Sequence, residues 1–514
     1  MWRPACLLAC VTALLAPPAV VCATATTSPV ADAPSGIDDE RRALADGMKA
    51  TLDNDGRRGL EILKIVIAAP AFAQLTSDEQ HTALFSAALD SLDVDDPQTS
   101  EDLLKRASVM PEAQGIDWHE RLVASYNNAD LADAALSFET IAQRWPATVI
   151  KVTDRAIFRM VDGVRKLKDG KERQFDLLSA LDDVHWAPKD PFTDASRIWR
   201  DYIRDLMEKG AVHRAQAVVN NIRQPYVIVT MRTEQVFDPL VQAAPERFAV
   251  EAAMSRYLDS LRTTMSANPS SLTGVNRLAI GLLWDGRAEE ALKLTADALL
   301  KALPKNGSKS SFVDAEDDVI WTMDARSRAL QLLGRSEEAA EQLERAARRP
   351  EDGGVNVSQA INLGQLYARM GRPKDAIAAV ADVSPRNVST YGLLAAEEAR
   401  AMAYAQTGDK AALAKSIALA RSNVGDLPDF LADMLLFAND LDGVAKVYID
   451  GLSSPDRQGT VLLFLQDYRK HPPLSAFDGE LERRLDAVRN RPDVRAAVAK
   501  VGRIETIPLY LEDG

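Results

Sequence analysis

The chain has 514 residues, of which 46% are hydrophobic and 26% charged, and its formal net charge is −14. That apolar content is enough to offset chain entropy, so disorder throughout is excluded. Gly and Pro, 26 and 25 residues, are too few for collagen-like or Pro/Gly-rich classes. An acidic chain with no long basic run lacks the electrostatic footprint of a non-specific nucleic-acid binder. At about 150 residues per domain the length suggests roughly 3 to 4 domains, or one elongated array.

Residues 1–23 read as a secretory signal peptide. Arg3 is the positive n-region, Ala5 to Val21 is an apolar stretch broken by Pro17 and Pro18, and Val21 and Ala23 place small residues for a cut after Ala23. The stretch is short of the roughly 20 residues of a membrane span. The alternative is an uncleaved anchor. Cys6, Cys10 and Cys22 all lie in this segment, so the processed chain has no Cys for a disulfide, a thiolate nucleophile or a Cys-ligated metal. Leu7-Leu8-Ala9-Cys10 looks like a lipobox but comes before most of the apolar region. Residues 24–37 form a flexible leader rich in Thr, Ala, Pro and Ser. An exported destination, periplasmic or secreted, follows. The bacterial reading leans on the short leader and on Arg outnumbering Lys.

Residues 38–224 read as irregular paired helices. Asp38 to Leu52 pairs with Arg57 to Ala68, and Ser77 to Leu92 with Pro97 to Ser108; Thr76 and Glu79 have capping-box spacing. Val149 to Leu167 pairs with Lys171 to Asp183, and residues 185–195 are loop. In 225–268, a junction with a degenerate repeat, the β-branched run Pro225 to Met231 favours extended chain by propensity. A distorted helix within a continuous array is the alternative.

A pattern then recurs: Leu or Tyr, Gly four residues on, and a small or apolar residue five later. Leu206, Gly210 and Ala215 show it, as do Leu282, Gly286 and Ala291; Leu330, Gly334 and Ala339; Tyr367, Gly371 and Ala376; and Tyr404, Gly408 and Leu413. The last two Gly intervals are near 37 residues, the length of a helix–turn–helix pair. From Gly286 to Ala302, Ala291, Leu292, Thr295, Ala298 and Leu299 share one helical face, while Glu289, Glu290, Lys293, Asp297 and Lys301 share the other. The Gly suits a left-handed helix end. A hairpin with one apolar side must stack on neighbours.

Leu363-Gly364-x-x-Tyr367 with Gly371 and Ala376, and Leu278-Ala279-x-x-Leu282 with Gly286, Ala291, Ala298 and Pro304, resemble tetratricopeptide repeats. Leu122, Tyr126, Ala135, Ala142 and Pro146 are similar without the turn Gly. Ser327 and Leu413 depart from the usual small residues. The resemblance is good over about 270–421 and partial over 116–225. It implies an all-α fold, a tetratricopeptide-like α-solenoid of stacked antiparallel helix pairs, regular over 269–425. A helical cap at 426–502 follows, with helices at Leu431 to Asn439, Leu441 to Leu452, Gly459 to Arg469, Phe477 to Asn490 and Asp493 to Val501. Residues 503–514 are an extended tail.

No phosphate-loop, dinucleotide, zinc-protease or nucleophile-elbow motif is present, and His81, His119, His185, His213 and His471 are far apart in sequence. No catalytic residue, metal ligand or cofactor site is assigned. The acidic clusters Asp38 to Glu40 and Asp93 to Asp96 suit helix ends.

In tetratricopeptide arrays the first helix of each pair lines the concave face. The resemblance would place Asn276, Ile280 and Trp284 there, then Trp321, Asp324 and Arg328, then Ile361, Gln365 and Arg369, then Glu398, Met402 and Gln406. Packing between repeats is the alternative for both Trp. No Lys/Asn clamp for a C-terminal carboxylate is visible. The expected function is a non-catalytic scaffold binding a protein or peptide in this groove, with any membrane association running through a partner. Alternatives are an accessory factor of envelope or polysaccharide export and a helical-toroid carbohydrate-active enzyme. A closed ring of helices would favour the toroid, and the 6% aromatic content argues against it.

Overall fold

A computed structural model describes residues 36–304, 309–350, 354, 356–423 and 427–511. The expected signal peptide, with Cys6, Cys10 and Cys22, and nearly all of the expected leader lie outside the described residues. The chain divides into two compact units, Met1–Asp130 and Leu131–Gly514.

The first unit contains α1 (Ile37–Leu52), α2 (Gly56–Ala68), α3 (Ser77–Asp93), α4 (Pro97–Ala107) and α5 (Gly115–Asn127), each packed on the next. The two expected pairs are present. The Thr76–Glu79 capping box forms at both ends: Glu79 N donates to Thr76 Oγ1 at 3.2 Å and Thr76 N to Glu79 Oε2 at 2.8 Å. Leu63, Val66, Ala83, Ala87 and Leu104 fill the space between helices. The left-handed turn residues here are Asn54, Asp95 and Ala129, at φ 59°, 61° and 62°. Asn and Asp tolerate that conformation better than other side chains, so the first two turns carry no Gly signal, while Ala129 adopts it without that advantage.

The second unit opens with α6 (Leu131–Arg144), α7 (Asp154–Val164), α8 (Gly170–Asp183), α9 (Ser196–Glu208) and α10 (Val212–Val218). Residues 225–245 are helical: α11 (Pro225–Thr233), a 3-10 turn and α12 (Asp238–Ala243). Propensity for extended chain is overridden there. Pro225 occupies the first turn, the Gln224 side chain accepts from Val227 N at 2.8 Å, and Tyr226, Ile228, Val229 and Met231 are all buried.

After α13 (Val250–Ala267) come five regular pairs: α14 (Leu272–Trp284) with α15 (Ala288–Ala302), α16 (Ala315–Leu332) with α17 (Ser336–Ala347), α18 (Val357–Arg369) with α19 (Pro373–Ala379), α20 (Thr390–Thr407) with α21 (Lys410–Ser422), and α22 (Pro428–Phe437) with α23 (Leu441–Leu452). Gly210, Gly286, Gly334, Gly371 and Gly408, the five recurring glycines, all stand at φ 72–80°. In each turn the N–H after the Gly donates to the carbonyl of the periodic Leu or Tyr, at 2.8–3.0 Å from Arg287 to Leu282, Arg335 to Leu330, Arg372 to Tyr367 and Asp409 to Tyr404. This bond closes the end of the first helix and reverses the chain. Ser327 is fully buried and donates to Ala339 O at 2.9 Å, so its hydroxyl joins the two helices of its hairpin.

The C-terminal region departs from the expected cap. Helix α24 (Gln458–Phe464) stops early, and the remainder of the expected Gly459–Arg469 helix is strand β1 (Asp467–Arg469). Then follow α25 (Ala476–Arg489), α26 (Pro492–Val501) and β2 (Thr506–Tyr510). The expected extended tail is β2, paired parallel to β1. Helix α24 packs on both α23 and α11, and β2 packs on α13 and α14. The array from α11 to α24 therefore closes on itself.

Two outcomes follow. Gly334 has open space where a Cβ would stand, so Gly334→Ala isolates the backbone cost of a left-handed alanine. Denaturant titration should show a loss of about 1 kcal/mol, and less for Gly334→Asn. Burial, then the neighbouring Asp176, pushes Glu139 up to about 7. Its contribution to stability is fully present below its ordinary value of 4.5 and is lost as pH rises through about 7. The Tm should fall from pH 5 to 8 more steeply in the native chain than in Glu139→Gln.

Candidate partner-binding groove

The first helices α14, α16, α18 and α20 are joined by a ladder of polar side chains. Thr273 Oγ1 donates to Asp318 Oδ2 at 2.5 Å, Asn276 Nδ2 to Asp318 O at 3.2 Å, and Thr322 Oγ1 to Asn276 Oδ1 at 2.7 Å. Asn362 Nδ2 donates to Asp324 Oδ1 at 3.0 Å, Gln365 Nε2 to Glu398 Oε2 at 3.2 Å, and Gln406 Nε2 to Ala368 O at 2.7 Å. Asn276, Asp324, Gln365 and Glu398 therefore each bind the neighbouring repeat. A buried polar group without a partner is costly, so a rung satisfied only in one stacking register fixes that register.

Trp284, Arg328 and Arg369 come together elsewhere on the same helices. They line a groove with Ile280 and Leu283 from α14 and Leu332 from α16. Trp284 is 7% exposed, stacked on Tyr257 at 5.8 Å and edge-on to Tyr226 at 4.9 Å, so it is both core and groove wall. Trp321 is apart from them, packed against the cluster of Leu272, Phe312 and Val319. Arg328 donates to Asp324 at 2.8 Å, and Arg369 to Asp478 of α25 at 3.1 Å.

The opposite wall is the chain's own C-terminal region: His471, Pro472, Leu474, Tyr510 and Leu511. The groove keeps about 40 Å³ of free space, room for a few waters. Arg503 N donates to Thr233 O at 2.9 Å, and Asp467 N to Glu505 O at 3.0 Å. Arg232 pairs with Glu505 at 2.5 Å, and Arg503 pairs with Asp238. Ile507 and Leu509 are each 1% exposed, which contributes roughly 1.5–3 kcal/mol per side chain. The Tyr226 hydroxyl donates to Tyr510 O, and the Tyr510 ring lies on Gly286, where a Cβ would approach it to 2.8 Å. This wall was missed in the sequence. The available signal was the alternation of Ile507, Leu509 and Leu511, which has the two-residue period of a strand.

Five hairpins with one turn geometry, the first four joined in register through their first helices, settle the architecture. The fold is a tetratricopeptide-like α-solenoid. No protein-family model matches the chain, and no curated protein does. Among solved structures, the APC/C hetero-tetramer Cut9-Hcn1 is similar over 90% of this chain and 89% of that one, at 12% identity and a TM-score of 0.26. The P58(IPK) TPR domain is similar over 78% of this chain and 99% of that one, at 12% identity and a TM-score of 0.19. The tetratricopeptide-like assignment rests on the hairpins themselves.

Farther along the array, Glu398 of α20 and Asp429 and Asp433 of α22 lie near one another. Burial, then Glu398 and Asp429, holds Asp433 well above the usual carboxylate range. Burial also raises Asp429, opposed by Arg457. No group of three or more His, Cys, Asp or Glu suited to a metal ion occurs among the described residues.

The ladder gives a direct test. Asn276→Ala removes both inter-repeat bonds of this rung and leaves Thr322 Oγ1 and the Asp318 carbonyl to each other, at 3.1 Å, so unfolding in urea should show a loss of about 1 kcal/mol with the helical content retained.

Proposed function

We propose that this protein is an exported, non-catalytic interaction scaffold that holds an extended segment of a partner protein in the groove beside Trp284, Arg328 and Arg369. One observation carries the reading: the groove already holds extended polypeptide, the chain's own C-terminal segment, through a backbone carbonyl, an aromatic ring and an aliphatic side chain. Arg and Trp on one wall suit an interaction hot spot. The export reading draws on residues 1–23, and in a bacterium it means the periplasm. No helix among the described residues is long and apolar enough to cross a membrane. The narrower alternative is service in envelope or polysaccharide export.

A helical-toroid carbohydrate-active enzyme is the second reading, favoured by closure of the array and by the neighbouring carboxylates Glu398 and Asp433. It is the weaker reading, because the groove beside α14 is filled by the chain itself and Glu398 is engaged by Gln365.

A photo-reactive residue at Gln331, in the groove, should cross-link a discrete protein in the cell of origin, and one at Glu341, on the exposed face of α17, should not. Arg369→Glu should reduce the Gln331 adduct. Equal adducts from both positions would overturn the reading.

A further inference from the structure

The C-terminal segment is held in two different ways. Residues 503–509 form an anchor, with backbone bonds to Thr233 and Asp467, ion pairs to Asp238 and Arg232, and Ile507 and Leu509 fully in the core. Tyr510 and Leu511 are half-buried; Tyr510 pairs with Arg469 of β1 beyond a register shift, and Leu511 lies past the end of β2. Tyr510 is held by the Tyr226 hydroxyl on its carbonyl, by Gly286 beneath its ring and by the edge of His471 at 5.0 Å. Leu511 lies in the groove with Leu283 and Leu474, its carbonyl 3.3 Å from His471 Nε2.

The wall is built for such a dipeptide. Gly286, at φ 80°, offers bare backbone to an aromatic ring, and the Tyr226 hydroxyl offers a donor to a backbone carbonyl.

We propose that Tyr510 and Leu511 are a tethered plug, and that the groove binds partner segments of the same chemistry, extended chain with an aromatic residue followed by a large aliphatic one, in their place. This rests on the groove being the binding surface of the scaffold. A segment tethered this closely has an effective concentration on the order of millimolar, so a partner must compete with it. The plug therefore sets a threshold that excludes weak ligands while the anchor keeps the array closed.

The test uses the chain alone. A fluorescent peptide of residues 507–514 is titrated against the full chain and against the full chain carrying Tyr510→Ser and Leu511→Ser, which keeps the anchor. The double variant should bind at least about ten-fold more tightly, because the ring and the aliphatic side chain of the tethered competitor are gone and only its backbone carbonyl remains to compete. The peptide carrying the same two substitutions should not bind, and Ile280→Arg in the double variant should abolish binding. Equal affinity for both proteins would overturn the proposal, as would no binding to a double variant with unchanged circular dichroism and melting. Unfolding of the double variant would also overturn it, because the dipeptide would then be structural. Cross-linking from Gln331 without peptide binding would leave the scaffold standing with a ligand of different chemistry.

Discussion

Each hairpin of this chain has one apolar side and no means of burying it alone. Everything else depends on that constraint. The left-handed Gly returns the second helix against the first, the small residue five positions later lets the two approach, and the exposed apolar side is covered only by the next hairpin. Side-chain hydrogen bonds then fix how neighbours slide. The rungs at Asn276, Asp324, Gln365 and Gln406 each tie one repeat to the next in the observed register.

The same constraint explains the C-terminus. A stack of hairpins leaves an uncovered face at each end, usually made polar. Here the chain returns through α24 and β2 to α11, α13 and α14, so the ends of the array cover one another. Closure places Tyr510 and Leu511 opposite Trp284, Arg328 and Arg369 and makes the expected binding face a two-sided groove.

The reading of individual residues divides along physical lines. Helix periodicity and turn chemistry are local, so the hairpins, the five glycines and the Thr76 capping box could be read directly. Turns built on Asn54 and Asp95 carried a weaker version of the same signal. The run Pro225 to Met231 was ambiguous, because β-branched residues buried on every side satisfy a strand or a core helix equally well until the neighbours are known. The candidate face was placed by resemblance to tetratricopeptide repeats. Of its twelve residues, Asn276, Asp324, Gln365, Glu398 and Gln406 serve as ladder rungs, Trp321 joins a separate core cluster, Ile361 and Met402 are buried in the main core, and Ile280, Trp284, Arg328 and Arg369 line the groove.

The amino-acid sequence by itself determined the repeating hairpins, because a helix face, a cap and a left-handed turn are written within a few residues of one another. The tertiary structure alone decided that the array closes and that Tyr510 and Leu511 lie in its groove. Pairing β1 with β2, and Tyr226 with Tyr510, joins groups 39 and 284 residues apart. Such contacts are selected by the summed burial of Ile507 and Leu509 in a space that exists only once the repeats have stacked.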